Sequence, residues 1–304
     1  MLVQETLFGT EDKVKTSIDA IRTFEPPEGY YLAFSGGKDS VVVKRLCDMA
    51  GVKYDAHYRV TSVDPPELVQ FIKEYYPDVS RDIPHDENGK PITMWNLIPR
   101  KKMPPTRIVR YCCAELKESG GEGRFTVTGV RWAESARRAK NQGLVTIYDA
   151  DNDIKSHAAF FGNDKGGVTL NNDNDEAREL LESCYSKRKT VLNPIINWED
   201  EDVWEFIHRE NIPYCKLYDQ GYKRLGCIGC PMNVVTADED LDKYPKYKEH
   251  YIKAFGTMIA ERERAGLPTE WKTGEEVMEW WLRDRYRKDK VIDGQMEMDY
   301  GKHK

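Results

Sequence analysis

Leu32-Ala-Phe-Ser-Gly-Gly-Lys-Asp-Ser40 is the stretch on which the reading of this chain turns. An apolar run from Tyr30 to Phe34 stops abruptly at Ser35-Gly36-Gly37-Lys38-Asp39-Ser40, and a helical pattern follows with Val41, Val42, Leu46 and Met49 on one side. This predicts a strand, a tight glycine loop and a helix. The glycines let the backbone turn sharply and approach a ligand closely. Their N–H groups, with those of Asp39 and Ser40, are expected to face an anion at the positive end of the helix. Ser35 and Ser40 add hydroxyls and Lys38 adds a cation. A glycine turn with incidental polar residues is the plainer alternative, but a phosphate cradle accounts for all six positions. The loop is not the G-x-x-x-x-G-K-[ST] type, and by itself it names no reaction.

The flanking sequence extends the pattern. Tyr54 to Tyr58 reads as a second strand, and Asp64-Pro65-Pro66-Glu67 starts a helix running to about Tyr76, with Asp64 as its N-cap. Strand and helix alternating at this spacing predict a doubly wound, mostly parallel α/β sheet of Rossmann-like type. Ligands of such sheets sit at the carboxyl ends of the strands, where the cradle lies. His57 falls on that edge near Arg59 and Asp64, and a structural role suits it better than a catalytic one. Phe125-Thr-Val-Thr-Gly-Val130 is a further strand by its β-branched content. It delivers Arg131 at its carboxyl end, with Arg137 and Arg138 one or two helical turns later. Fixed guanidinium forks suit phosphate or sulfate.

The remaining segments carry less chemistry. Residues 1–24 read as a polar helix with Val14, Ile18 and Ile21 on one face. Residues 81–105 read as a loop around a short helix near Trp95, and the Asp/Asn-rich stretch 149–179 as an inserted loop. Leu192 to Ile207 gives a short strand and an acidic-started helix. From about Ala237 the chain reads as a helical C-terminal extension burying Tyr247, Tyr251, Phe255, Trp280 and Trp281; Arg283, Arg285 and Arg287 follow these aromatics. Residues 1–236 are thus expected to form a nucleotide-binding domain and 237–304 the extension.

The chain has 304 residues and a net charge of −6, which argues against a generally basic nucleic-acid surface. The runs Arg100-Lys101-Lys102 and Arg137-Arg138-Ala139-Lys140 read mainly as solvated surface. No membrane-spanning run and no export signal are visible, so a cytoplasmic location is expected. Seven cysteines, an odd number, point to metal or redox chemistry rather than a disulfide framework. Cys112-Cys113 and Cys227-x-x-Cys230 together supply four thiolates. Spacing leaves zinc, a redox dithiol and an iron–sulfur centre open. Cys47 falls on the apolar face after the cradle. Cys184 and Cys215 have no partner pattern.

Several blocks resemble one family. Ser35 to Ser40 looks like the SGGKDS motif of the PP-loop ATP pyrophosphatases and sulfonucleotide reductases. Gly129-Val-Arg-Trp-Ala-Glu-Ser-Ala-Arg-Arg138, Trp198-Glu-Asp-Glu-Asp-Val-Trp204, Pro213 to Tyr222 and Gly226 to Cys230 resemble the matching blocks of PAPS and APS reductases, in the same order. The resemblance spans about residues 28–232. It implies that Cys112, Cys113, Cys227 and Cys230 hold a [4Fe–4S] cluster, as in the cluster-bearing members. It also implies that Ser35, Gly36, Gly37, Lys38, Asp39, Ser40, Arg131, Arg137 and Arg138 bind an adenine nucleotide, with Lys38, Asp39 and Arg131 catalytic.

The family's reductases attack sulfur with a cysteine of a Glu-Cys-Gly-x-His motif, and no cysteine follows Cys230 here. The other branch adenylates a substrate with ATP and Mg²⁺, releases pyrophosphate and often inserts sulfur. That branch is the leading expectation. Its acceptor would be a tRNA, a DNA or a small molecule, served by a sulfur donor or reductant protein. A homodimer is compatible with the aromatic C-terminal helices. Use of a sulfonucleotide, or a non-catalytic nucleotide and redox sensor, are the alternatives.

Overall fold

The computed structural model describes residues 2–6, 9–107, 109–148, 189–233 and 237–283. The chain divides into two compact units, Met1–Leu97 with Pro105–Ile228, and Ile98–Pro104 with Gly229–Lys304.

The first unit opens with a hairpin, β1 (Val3–Thr6) and β2 (Gly9–Asp12), and then α1 (Lys13–Thr23). The expected single helix over residues 1–24 is therefore only half helix. Asp12 explains the boundary: its side chain accepts the N–H groups of Val14 and Lys15 and starts the helix there. Next come β3 (Tyr30–Ala33), α2 (Lys38–Ala50), β4 (Tyr54–Arg59) and α3 (Pro66–Tyr75). Gly51, at φ 70°, closes α2 in the left-handed conformation that a side chain disfavours. Asp64 does not cap α3. Its carboxylate accepts the Tyr58 hydroxyl at 2.6 Å, and Pro65 holds the cap position.

The chain continues through β5 (Ser80–Asp82), α4 (Met94–Lys101) and α5 (Tyr111–Cys113), which runs on into one π-helical turn, Ala114–Glu118. After β6 (Phe125–Val127) follow α6 (Ala136–Asn141), β7 (Val145–Tyr148), β8 (Lys189–Leu192) and α7 (Asp200–Arg209).

Six strands form one sheet in the order β5-β4-β3-β6-β8-β7, all neighbours parallel except the β7–β8 pair. Among the described residues this is the mostly parallel α/β sheet expected. Its core is built from alternate strand positions, Tyr30, Leu32 and Phe34 on and just after β3, with Val127 and Leu192. Against them pack Val41, Val42 and Leu46 of α2, Ile21 of α1, and Val203 and Phe206 of α7. The strand order reverses between β3 and β6: β3 leads outward to β4, and the chain later returns to β3's other side. Such a reversal leaves a crevice at the strands' carboxyl ends.

The second unit contains α8 (Ala237–Lys243), α9 (Pro245–Arg264) and α10 (Gly274–Arg283). Trp281 packs on Tyr251 and Phe255 with ring centroids 5.0 and 5.4 Å apart. A side chain at Gly274 would lie 2.1 Å from the Ile252 carbonyl oxygen, so only glycine lets the two helices meet there. No helix among the described residues is long and apolar enough to cross a membrane.

Candidate nucleotide-phosphate site

The glycine loop sits between β3 and α2, immediately at the reversal point. Gly36 has φ 72°, and a Cβ there would be 2.8 Å from Ile72 and Leu68 side-chain atoms. Conformation and packing against α3 thus both require glycine. Gly37 is the N-cap of α2, with φ −75°. Its N–H donates to Ser35 Oγ at 3.3 Å, and its carbonyl accepts the Ser40 hydroxyl at 2.9 Å and the Ser40 N–H at 3.0 Å. The loop is therefore tighter than the sequence suggests, and Ser40's amide is committed to it. The Lys38 N–H donates to the hydroxyl of Tyr218 at 2.9 Å.

Arg131 arrives from the other side of the reversal, four residues after β6. Its side chain is 1% exposed and bridges two carboxylates. Nε donates to Asp39 Oδ1 at 2.7 Å, one Nη to Asp200 Oδ1 at 2.6 Å, and the other Nη to the Trp198 carbonyl at 3.1 Å. Lys38 Nζ lies 3.4 Å from Asp39 Oδ2 and 3.3 Å from Asp200 Oδ1. Burial works against the Arg131 charge, but Asp39 and Asp200 outweigh it and raise the guanidinium's pKa further. For Asp200 the order is the same: partial burial opposes ionisation, and Arg131 and Lys38 overcome it and hold its pKa below the usual carboxylate value. Two cations and two carboxylates thus form one network at the mouth of the loop.

The backbone of this site is held closely. A Cβ on Gly129 would lie 2.9 Å from the Asp39 carbonyl carbon and oxygen, so the end of β6 and the first turn of α2 touch through glycine. Tyr218 is fixed by an edge contact with Trp204, their centroids 5.2 Å apart at 84°, and burial raises its phenol pKa.

The structure brings Ser35, Gly36, Gly37, Lys38, Asp39, Ser40 and Arg131 together. Arg138 pairs with Glu134. The side chain of Arg137 lies outside the described residues, as do Cys184, Arg285, Arg287 and the stretch 149–179. His57 is held in β4 between Asp82, at 2.8 Å from Nδ1, and Asp55, and it stacks on Tyr31. That is a structural placement. Asp200 and Tyr218 are the site residues that sequence reasoning missed. Both lie within family-like blocks, which is the signal that could have found them.

Of the sulfur residues, Cys47 and Cys215 are buried, and burial pushes the Cys47 thiol up to about 12. Cys112 and Cys113 lie on α5. The thiol of Cys112, helped by Arg110 and Lys117, outweighs burial and holds Cys113 well below the ordinary thiol value. Cys227 Sγ lies 3.9 Å from Thr61 Oγ1 and from Asp64 Oδ1, and Lys117 Nζ is 4.0 Å from Asp64. Cys230 belongs to the second compact unit. Among the described residues no group of three or more His, Cys, Asp or Glu side chains is arranged to hold a metal ion.

A mostly parallel sheet with a reversal point, a glycine loop after the central strand and a buried arginine opposite define a doubly wound α/β protein with a candidate phosphate site at the strands' carboxyl ends. Residues 29–233 match the phosphoadenosine phosphosulfate reductase domain, and the chain belongs to that family. It is 24% identical over 243 residues to an uncharacterized protein of Methanocaldococcus jannaschii, MJ0973, a match covering 77% of this chain and 47% of that protein. It is 49% identical over 46 residues to the adenosine 5'-phosphosulfate reductase of Oceanobacillus iheyensis (15% of this chain, 19% of the reductase). A probable FAD synthase of Caenorhabditis briggsae is 42% identical over 77 residues, covering 24% of this chain and 14% of the synthase. The chain therefore spans about half the length of the archaeal relative and a fifth or less of the other two.

Proposed function

We propose that this protein binds ATP at the Ser35–Ser40 loop and transfers an adenylyl group to an acceptor with release of pyrophosphate, in the service of sulfur transfer. The observation that carries this reading is the convergence of Lys38, Asp39 and Arg131 at the sheet's reversal point. In this reading the loop holds the leaving pyrophosphate, and Lys38 and Arg131 stabilise charge developing on the phosphates. Asp39 is the carboxylate for Mg²⁺, whose positive charge offsets that of the leaving group. The family membership and the matched segment of a probable FAD synthase support nucleotide use. The acceptor is a tRNA, a DNA or a small molecule.

Cys112, Cys113, Cys227 and Cys230 are the thiolate set for a [4Fe–4S] cluster in the same reading. The cations Arg110 and Lys117 beside the Cys pair favour thiolate, the form that binds iron. Such a cluster, when bound, would supply iron and sulfide for electron or sulfur chemistry.

A second reading, use of a sulfonucleotide, is favoured by the matched segments of APS reductases. Calorimetry on anaerobically purified protein, comparing Mg²⁺–ATP with APS and PAPS, separates the two. Tight ATP binding with weak sulfonucleotide binding is expected, and a preference for APS or PAPS would sink the adenylation reading. Iron and acid-labile sulfide measured on the same sample report on the cluster, and their absence would remove it.

A further inference from the structure

We propose that the Asp200 carboxylate and the Tyr218 hydroxyl act as a built-in substitute for phosphate, occupying the cradle donors that a pyrophosphate group takes over, so that the cradle favours ligands of high negative charge. This rests on reading the loop as a phosphate site.

The donors are the ones a phosphate would use. The Lys38 amide, at the first turn of α2, is the kind of group that meets an anion at a helix N-terminus. It donates to the Tyr218 hydroxyl at 2.9 Å. Lys38 Nζ and an Arg131 Nη converge on one Asp200 oxygen at 3.3 and 2.6 Å, as two cations would on a phosphate oxygen.

The two carboxylates of the network differ in exposure and in how their backbone is packed. Asp39 is 21% exposed, and its backbone is wedged against Gly129. Asp200 is 59% exposed at the first position of α7. Its carboxylate is open to water, which can take over its hydrogen bonds when a ligand displaces it from Arg131 and Lys38. Arg131, 1% exposed and tied to the Trp198 carbonyl, stays in place to receive what displaces it.

Charge then sets the preference. Lys38 and Arg131 are balanced by Asp39 and Asp200, so a monoanion gains little by replacing one carboxylate with another single charge. A polyanion keeps both cations and adds contacts to the loop. The two substitutes are also coupled: Trp204, one turn after Asp200 on α7, carries the edge contact that fixes Tyr218.

The test is calorimetric titration of wild type, Asp200→Asn and Tyr218→Phe with inorganic pyrophosphate and with inorganic phosphate. Tyr218→Phe keeps the ring on Trp204, and circular dichroism checks that both variants fold. Asp200→Asn is expected to bind pyrophosphate about tenfold tighter, and inorganic phosphate to gain still more, narrowing the preference between them. Tyr218→Phe is expected to gain by a smaller factor. Unchanged or weaker pyrophosphate binding by Asp200→Asn overturns the proposal, as does absence of pyrophosphate binding in all three proteins. An unchanged Tyr218→Phe overturns the hydroxyl's share. Failure here is separable from failure of the adenylation reading: a protein that prefers APS to ATP yet shows the expected gains loses only that reading.

Discussion

Gly36 shows how much of the site rests on single atoms. Its φ of 72° lies where L-residues are strained, and Ile72 and Leu68 fill the space a methyl group would need. Gly36→Ala should cost about 2 kcal/mol or more from backbone strain alone. Urea denaturation measures this, and a variant as stable as wild type would contradict the packing described. The glycines, Lys38, Asp39 and Arg131 were legible because their spacing along the chain is local to one loop or one strand end. Asp200 and Tyr218 were not. They reach Lys38 of the loop across 162 and 180 residues through tertiary folding, and an acid in a helix's first turn already has a local explanation in the helix dipole.

At the scale of elements, α1 and α7 are joined by an ion pair of Lys13 with Asp202, 2.5 Å apart and with side chains 8% and 0% exposed. Asp202 also accepts the Glu199 N–H at 2.9 Å and so caps its own helix. Burial opposes the Asp202 charge, but the hydrogen bonds it accepts, foremost from Lys13 and also from the Glu199 N–H, together with the Lys13 charge outweigh burial, and the carboxyl pKa is lowered. Removing one partner leaves a buried charge uncompensated, so Asp202→Asn should destabilise the fold by about 3–5 kcal/mol. The depressed carboxylate contributes stability that is complete above its unfolded pKa near ~4 and is lost as the pH falls through the lower folded value. The variant should accordingly have a flatter acid limb in its stability–pH curve. An acid limb as steep as that of wild type would refute this assignment.

Sequence reasoning did less well at this scale where elements are short or where a side chain has a competing partner. β5 and β7, of three and four residues, offer too few positions for alternation to show. The β1–β2 hairpin was hidden by polar residues that fit a helix equally well. Asp64 stood in a good capping position, but the Tyr58 hydroxyl claimed it.

For the molecule as a whole, the sheet was legible from the order of strand and helix signals, because right-handed crossovers leave few alternatives. Its antiparallel edge was not, since β7 and β8 are separated by the stretch 149–188. Stability should follow position in the sheet. β3 is hydrogen-bonded on both sides, to β4 and β6, whereas β7 pairs, among the described residues, with β8 alone. Hydrogen–deuterium exchange followed by mass spectrometry should find the amides of Tyr30–Ala33 among the last to exchange and those of Val145–Tyr148 well before them. Equal protection of the two strands would count against the topology.

The contact of Gly129 with Asp39 has a consequence for what the site can hold. Backbone against backbone cannot be adjusted by choosing another rotamer, so this side of the cleft works like the fixed jaw of a caliper. Asp200, on the exposed first turn of α7, is the sliding jaw. Attempts to make the protein accept a longer or bulkier phosphoryl ligand should therefore begin at Asp200 and its helix, because the gap cannot be widened from the Gly129 side without moving the sheet itself.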